Sequence, residues 1–296
     1  MHAYRLLVSG VRAFCGSEWS EAVTACEAAE RAFRDGCTGA AWEIWTMQCF
    51  GNFAFSYLGR WRDLGRRVDA SLADARERGS AYGMIATCLP LGITAWLARG
   101  EVEATRRFCS EAMASWSVEG FHLQHYWFLM AECHLDLYQG DGVAAWQRVR
   151  TAWPSLVRSL LLRMPLVRVQ MLHVRAAGAL AAAAQEPVPS SRQTLLAEAA
   201  AATRKIEGVS LPFATPLASL LRASHSAQLG DTPAALAHLN HSIVRLDHLG
   251  MAGYAAAARC RRAQLMASPM PAVFMPGEEV ADPASMLRML APGFPV

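Results

Sequence analysis

Apolar residues recur at three- and four-residue intervals over Ser17–Phe33, Trp42–Leu58 and Thr232–Leu249, the spacing of one face of an α-helix. Little of the chain alternates with period two and no Asn-Gly pair marks a hairpin, so strands are not predicted. Glycine punctuates the apolar runs. Gly59, Gly100, Gly140 and Gly230 each close one run and open the next, at spacings of 41, 40 and 90 residues, the last being two periods of 45. Gly36, Gly79, Gly120, Gly208 and Gly250 form a second series half a period away, spaced by 43, 41, 88 and 42 residues. Glycine at a helix end accepts the left-handed conformation that reverses the chain. An acidic residue follows in three cases (Glu101, Asp141 and Asp231), where it suits the positive start of the next helix.

Two interleaved series with one period describe a helix–turn–helix unit of about 42 residues, repeated about six times. Near residue 164 the pair Met164-Pro165 stands in for glycine, and proline fits a first helical turn. The turn inside that unit is the proline- and serine-bearing stretch Glu186–Ser191. The expected fold is therefore all-α: a right-handed α-solenoid of tetratricopeptide-like helical repeats over residues 1–267, each pair stacking on its neighbours. Residues 268–296 are predicted as a proline-rich tail, irregular to Pro283 and closed by one short helix over Ala284–Leu290.

Composition narrows the function classes. With 296 residues, 53% apolar and 18% charged, the chain can bury a large core and is too apolar for intrinsic disorder. A net charge of +3 is small for this length, so nucleic acid is not an expected partner. Gly79 to Ala98 is an uncharged run of twenty residues, long enough to span a bilayer. It holds Pro90, Thr87, Cys88, Thr94 and three glycines, so a buried helix at the centre of the stack explains it better than membrane insertion. Between Arg5 and Arg12 the uncharged stretch Leu6–Val11 is too short for a signal-peptide core. The eight cysteines include no C-x-x-C pair and read as buried, reduced thiols, which points to a cytoplasmic location.

The turns Gly140-Asp141-Gly142-Val143-Ala144-Ala145 and Gly230-Asp231-Thr232-Pro233-Ala234-Ala235, with a small residue five positions past the glycine, resemble the turn of a tetratricopeptide repeat. The period is longer than the usual repeat of roughly 34 residues, which implies longer helices. Longer segments carry a wider resemblance: Cys37–Glu43, Gly120–His125, Leu137–Gly142, Trp153–Leu156, Ser159–Arg163 and Asp282–Met286. From about residue 17 onward the chain resembles the C-terminal helical region of bacterial multidomain serine/threonine protein kinases, where a kinase domain and a predicted ATPase module precede helical repeats. The resemblance implies an accessory or regulatory role beside such modules. The chain has no glycine-rich loop with strand lysine, no catalytic-loop aspartate with its asparagine, no Asp-Phe-Gly and no G-x-x-x-x-G-K-[ST] loop. Neither G-x-S-x-G nor H-E-x-x-H occurs, so no enzymatic activity and no cofactor are expected.

Several constellations have two readings. His122, His125 and Cys133 share one helical face, but His125 and Cys133 stand about 12 Å apart along a helix, too far for one zinc ion. His238 and His241 repeat the i,i+3 spacing, and no metal site is expected at either place. Arg148, Arg150, Arg158, Arg163, Arg168 and Arg175 make either a site for phosphate or an acidic peptide, or a solvated helical surface. Lys205 is the one lysine of the chain and follows no glycine-rich loop. Polar residues at equivalent repeat positions (Gln48, Asn52, Ser56, Glu132, Asp136, Arg222 and Ser226, with His125) line either a shared concave groove or a set of inter-helix hydrogen bonds. The leading expectation is a non-catalytic scaffold that binds a protein or peptide along that groove. The alternative is a signal-sensing domain that regulates an attached kinase or ATPase, with a small molecule enclosed by Trp42, Trp45 and the polar stripe.

Overall fold

A computed structural model describes all residues except 90, 115, 118, 272, 273 and 296. Among the described residues every element is helical. The order is α1 (His2–Cys15), α2 (Trp19–Gly36), α3 (Ala41–Leu58), α4 (Trp61–Glu77), α5 (Ala81–Cys88), α6 (Ile93–Ala98), α7 (Val102–Ala114) and α8 (Leu123–Gln139). Then follow α9 (Gly142–Arg158), a 3-10 turn (Leu161–Arg163), α10 (Pro165–Gln185), α11 (Pro189–Glu207), α12 (Ala214–Gln228), α13 (Thr232–His248), α14 (Ala252–Leu265) and α15 (Pro283–Leu290). Most helices pack chiefly on their neighbours in sequence; α15 packs most on α8 and α6 most on α4.

The glycines close these helices much as their spacing predicts. Gly59, Gly79, Gly100, Gly120, Gly140, Gly230 and Gly250 all have φ between 61° and 83°. At Gly140 the amide donates to Leu137 O (3.1 Å) and the next amide, of Asp141, to Asp136 O (2.8 Å), which satisfies the carbonyls a helix end leaves free. Asp141 and Asp231 then cap the following helices by accepting from the amides of Ala144 (2.8 Å) and Ala234 (3.0 Å). Two positions differ. Gly36 is the last residue of α2 and Gly39, at φ 72°, turns the chain instead; Gly208 sits at φ −78°. Gly142 serves a different purpose, since a Cβ there would lie 2.5 Å from the backbone of Ala181; its bareness lets α9 touch α10.

The uncharged run is two short helices, not one. α5 and α6 flank Pro90, which lies outside the described residues, and the described side chains from Ile85 to Ala98 are buried. Breaking a helix leaves carbonyls without partners, and Asn52 Nδ2 donates to one of them, Thr87 O, at 3.0 Å. Among the described residues no helix is long and apolar enough to cross a membrane.

The row of helices does not stay open. α14 returns to α3, and side chains from five helices meet Phe213, the residue before α12, in one hub. The Tyr57 ring lies 5.5 Å from Phe213 and 6.5 Å from Tyr254, and Trp19 packs 5.6 Å from Phe213. Tyr126 donates to Gln170 Oε1, while Gln170 Nε2 donates to Tyr57 Oη at 2.9 Å. A concave face open along its length is thus replaced by a filled centre. Burial of each large apolar side chain there stabilises by about 1.5–3 kcal/mol. The tail is also part of the body. Its helix α15 starts one residue earlier than predicted, capped by Asp282, and packs on α6, α8 and α14. Ser224 Oγ donates to Pro292 O (2.9 Å) and Ala281 N to Ala98 O (2.8 Å), so residue 268 marks a change of texture, not a separable unit.

Candidate functional site

The polar stripe of α3 faces inward and each residue makes one bond to another helix or its end, while Gln48 Oε1 and Asn52 Oδ1 are buried without a partner among the described residues. Gln48, Asn52 and Ser56 are all buried; Gln48 donates to Glu30 (2.8 Å), Asn52 to Thr87 O, and Ser56 Oγ to Thr94 Oγ1 (3.3 Å). Trp42 remains 60% exposed at the start of α3, so it does not enclose that stripe. Trp45 packs over Gly83, where a Cβ would come within 2.7 Å of the indole, and beside Tyr82.

Glu132 and Asp136 on α8 form a second, separate group. Arg148 of α9 donates to Asp136 through Nε (2.5 Å) and pairs with Glu132 (3.2 Å); Arg106 of α7 lies 3.6 Å from Asp136 and 3.8 Å from Glu132. Burial holds the Glu132 carboxyl above its ordinary value despite the two guanidiniums, and its Oε1 is buried without a partner among the described residues. His125 stands nearby, at a cavity of about 450 Å³ with Phe121, Phe128, Glu132 and Arg148. Its Nδ1 accepts the backbone amide of His122 (3.0 Å), so the histidine pair acts as a helix cap. Arg222 lies elsewhere, bound to Glu207 by two nitrogens, and Ser226 gives its carbonyl to the turn at Gly230. The eight residues expected to share one groove therefore fall into three places. Hydrogen bonds and ion pairs between helices use most of them, because a buried polar group without a partner is costly.

The arginine set divides more usefully. Arg148 is taken by Glu132 and Asp136. Arg175 pairs with Glu198 (2.9 Å) and lies over the ring of Trp153 at 4.4 Å. Arg158, Arg163 and Arg168 are exposed and have no carboxylate partner among the described residues. Arg158 donates to Ser155 Oγ (3.0 Å), and Arg168 Nε to Leu162 O (2.9 Å). Lys205, reaching in from α11, completes a group of four unpaired cations. Arg168 and Lys205 line a hollow of about 330 Å³ floored by Trp153, Leu162 and Leu172. Arg150 is exposed two turns back along α9.

Val157, which lines the hollow, and Leu160 and Met164 of the following turn face solvent (49%, 53% and 42% exposed). Leu160 is left-handed at φ 64°, a conformation that costs an L-residue about 1–2 kcal/mol. The surrounding turn holds it through Leu160 N to Val157 O (3.3 Å) and Arg163 N to Leu160 O (2.9 Å). Sequence spacing singled out the arginines but missed Val157, Leu160, Met164 and the role of Lys205. The signal was present in Ser159-Leu160-Leu161-Leu162-Arg163-Met164, an apolar cluster with no helical period, flanked by arginine.

The cysteines offer no reactive centre in the interior. All eight are free; Cys15 and Cys37 are exposed, which corrects the expectation of uniformly buried thiols. Burial pushes Cys26 and Cys109 up to about 12, so neither supplies a thiolate at neutral pH. No family model matches this chain and neither a curated protein nor a solved structure matches it, so its resemblance to kinase C-terminal regions rests on the quoted segments alone.

Proposed function

We propose that the chain is a non-catalytic, tetratricopeptide-like helical scaffold that binds an acidic peptide segment at the α9–α10 corner. The carrying observation is the pair Arg168 and Lys205, without carboxylate partners among the described residues, lining a hollow floored by Trp153, with Arg158 and Arg163 exposed and likewise unpaired on the adjoining segment. Other exposed arginines divide between paired ones, as in Arg60–Asp63, Arg78–Asp74 and Arg259–Asp247, and unpaired ones such as Arg31 and Arg107; what sets this corner apart is the hollow that Arg168 and Lys205 line. A peptide carrying carboxylates on both sides of one apolar side chain complements this arrangement. Its anchor fills the hollow against Trp153 and Leu172, Leu160 and Met164 flank it, and the carboxylates meet the four cations. An anionic membrane shares the charge but not the shape, since a concave hollow sized for one side chain receives a protruding group better than a flat surface. The wider setting, an accessory region acting beside a bacterial serine/threonine kinase, is supported by the sequence segments quoted above.

The test is fluorescence anisotropy with labelled peptides of the pattern acidic–Leu or Phe–acidic, against a scrambled neutral control. Binding should weaken steeply as salt rises from 50 to 300 mM, because exposed charges are screened over about 10 Å at 0.1 M. Lys205→Glu with Arg168→Glu should cost about tenfold or more in affinity, at unchanged melting temperature. Absence of binding by any acidic peptide overturns the reading. So does binding that ignores the double substitution, or attachment only to vesicles containing phosphatidylserine.

A further inference from the structure

At the opposite end of α9 a second cavity, of about 590 Å³, opens between the ends of α8 and α10, helix α14, and the closing segment α15 to Pro295. Two arginines line it. Arg261 of α14 is only 5% exposed, and among the described residues no carboxylate pairs with it or with Arg288 of α15. Arg261 Nε donates to Ala291 O (2.9 Å), Nη1 donates to Gln264 Oε1 (2.9 Å), and the guanidinium lies over the Phe294 ring at 5.2 Å. Arg288 donates from Nε to Tyr138 O (3.4 Å) and from Nη2 to Ser285 Oγ (2.5 Å). Each arginine is thereby oriented by neutral acceptors, although Ser285 Oγ in turn donates to Asp282 Oδ2 (2.5 Å) and sets that carboxylate near Arg288; Nη2 of Arg261 and Nη1 of Arg288 keep no hydrogen-bond partner among the described residues.

Such a pair is costly to hold empty. Burial, with a smaller contribution from neighbouring Arg288, pushes Arg261 down to about 10, so the two cations repel. A buried charge ordinarily comes with a partner of opposite sign. The rest of the lining selects what that partner is. Leu137, Ala181, Ala184, Leu287 and Phe294 are apolar, and Gln185 and Gln264 are the neutral polar groups.

We infer that this cavity binds a small organic carboxylate, its two oxygens received by Arg261 and Arg288 and its short apolar body lying against Leu287 and Phe294. Two open amino groups match the two oxygens of one carboxylate. A phosphate would leave further oxygens facing apolar walls, where unpaired acceptors are penalised. The site is independent of the acidic-peptide corner: its residues come from the start of α9 and the tail, not from the end of α9. Because Arg261 and Arg288 also tie the closing segment to α14 and α8, an occupant would tighten the seam that keeps α15 in place.

The experiment titrates the full chain with sodium butanoate, and separately with inorganic phosphate, at constant ionic strength, reading calorimetric heat and melting temperature. Butanoate should bind saturably with one site, a dissociation constant of about 0.1–1 mM and a rise in melting temperature. Arg288→Gln, half-buried and fold-safe, should weaken it about tenfold, and Arg261→Met should abolish it. No saturable butanoate binding overturns the inference, as does binding by phosphate alone or an affinity unchanged in both variants. The acidic-peptide assay is indifferent to these two substitutions, so failure of one reading is distinguishable from failure of the other.

Discussion

Along α9 the same side chain meets opposite surroundings. At its first half Arg148 is held by Glu132 and Asp136, with Arg106 alongside, and the four charges balance. Past Pro154 the cations Arg158, Arg163 and Arg168 find only neutral acceptors or solvent. The inner half is constrained by burial: a carboxylate as enclosed as Asp136 must be compensated. The outer half is under no such constraint, so charge left unpaired there is free to serve a partner. The difference teaches that clustered arginines in a sequence say little until their acids are located.

The comparison can be broken first at the centre, where the expected effect is largest. His134 and His173 sit in the core near the hub, burial pushing His134 down to about 4, and burial with the neighbouring His134 pushing His173 down to about 3. The folded chain keeps both rings neutral, whereas the unfolded chain protonates them below about pH 6.5. Their stabilisation is therefore complete above pH 6.5 and is lost as pH falls toward 4 and then 3. By linkage the loss reaches about 2 kcal/mol for each histidine at pH 5. Urea unfolding at pH 7.5 and 5 measures it, and replacing both histidines by leucine should flatten the profile. An unchanged profile would remove the hub from the closed, compensated class.

Next in size is the acid–arginine group. Asp136→Ala leaves two guanidiniums facing one carboxylate and should destabilise by about 2–3 kcal/mol in urea unfolding. A comparable loss from Arg158→Ala would erase the contrast between the two halves of α9. Smaller again is the turn between α8 and α9. Gly140→Val forces a β-branched residue into φ 83° and should cost about 2 kcal/mol, read as a lower melting temperature. Gly208→Ala, at φ −78°, should be neutral or stabilise by about 0.5 kcal/mol, although both glycines belong to the same spaced pattern. The smallest effect is expected at the corner. Arg158→Ala and Arg163→Ala should change stability by less than about 0.5 kcal/mol while weakening acidic-peptide binding.

Much of the architecture was legible along the chain, for reasons that are local. A left-handed turn favours glycine, and an Asp after Gly140 or Gly230 caps the next helix within three residues, so both leave marks at short range. Gly36 and Gly208 show the limit of that logic, because a glycine can stand at a helix end without being required to turn it. The candidate site was less legible. Gln48, Asn52 and Ser56 carry the same spacing whether they line a groove or bond to Glu30, Thr87 and Thr94 of other helices. Arg261 is one of two adjacent arginines in sequence, yet it is buried while Arg262 beside it donates to Asn240 at the surface.

The all-helical class, many helix ends and the presence of a short final helix follow from φ preferences, caps and 3.6-residue periodicity, all settled within a few residues of chain, whereas the division of Gly79–Ala98 into two helices does not. Closure of the row does not. It depends on Tyr57 meeting Gln170, 113 residues away, and Tyr254 beyond it, contacts that no local pattern encodes. The same holds for which arginines keep a free charge. Helical periodicity assigns each side chain to a face, but only the packing of α7 on α8, α8 on α9 and α14 on α15 brings acids to some of those faces and none to others. Burial and pairing are properties of what lies across the interface, and that is where the proposed docking corner and the inferred carboxylate cavity arise.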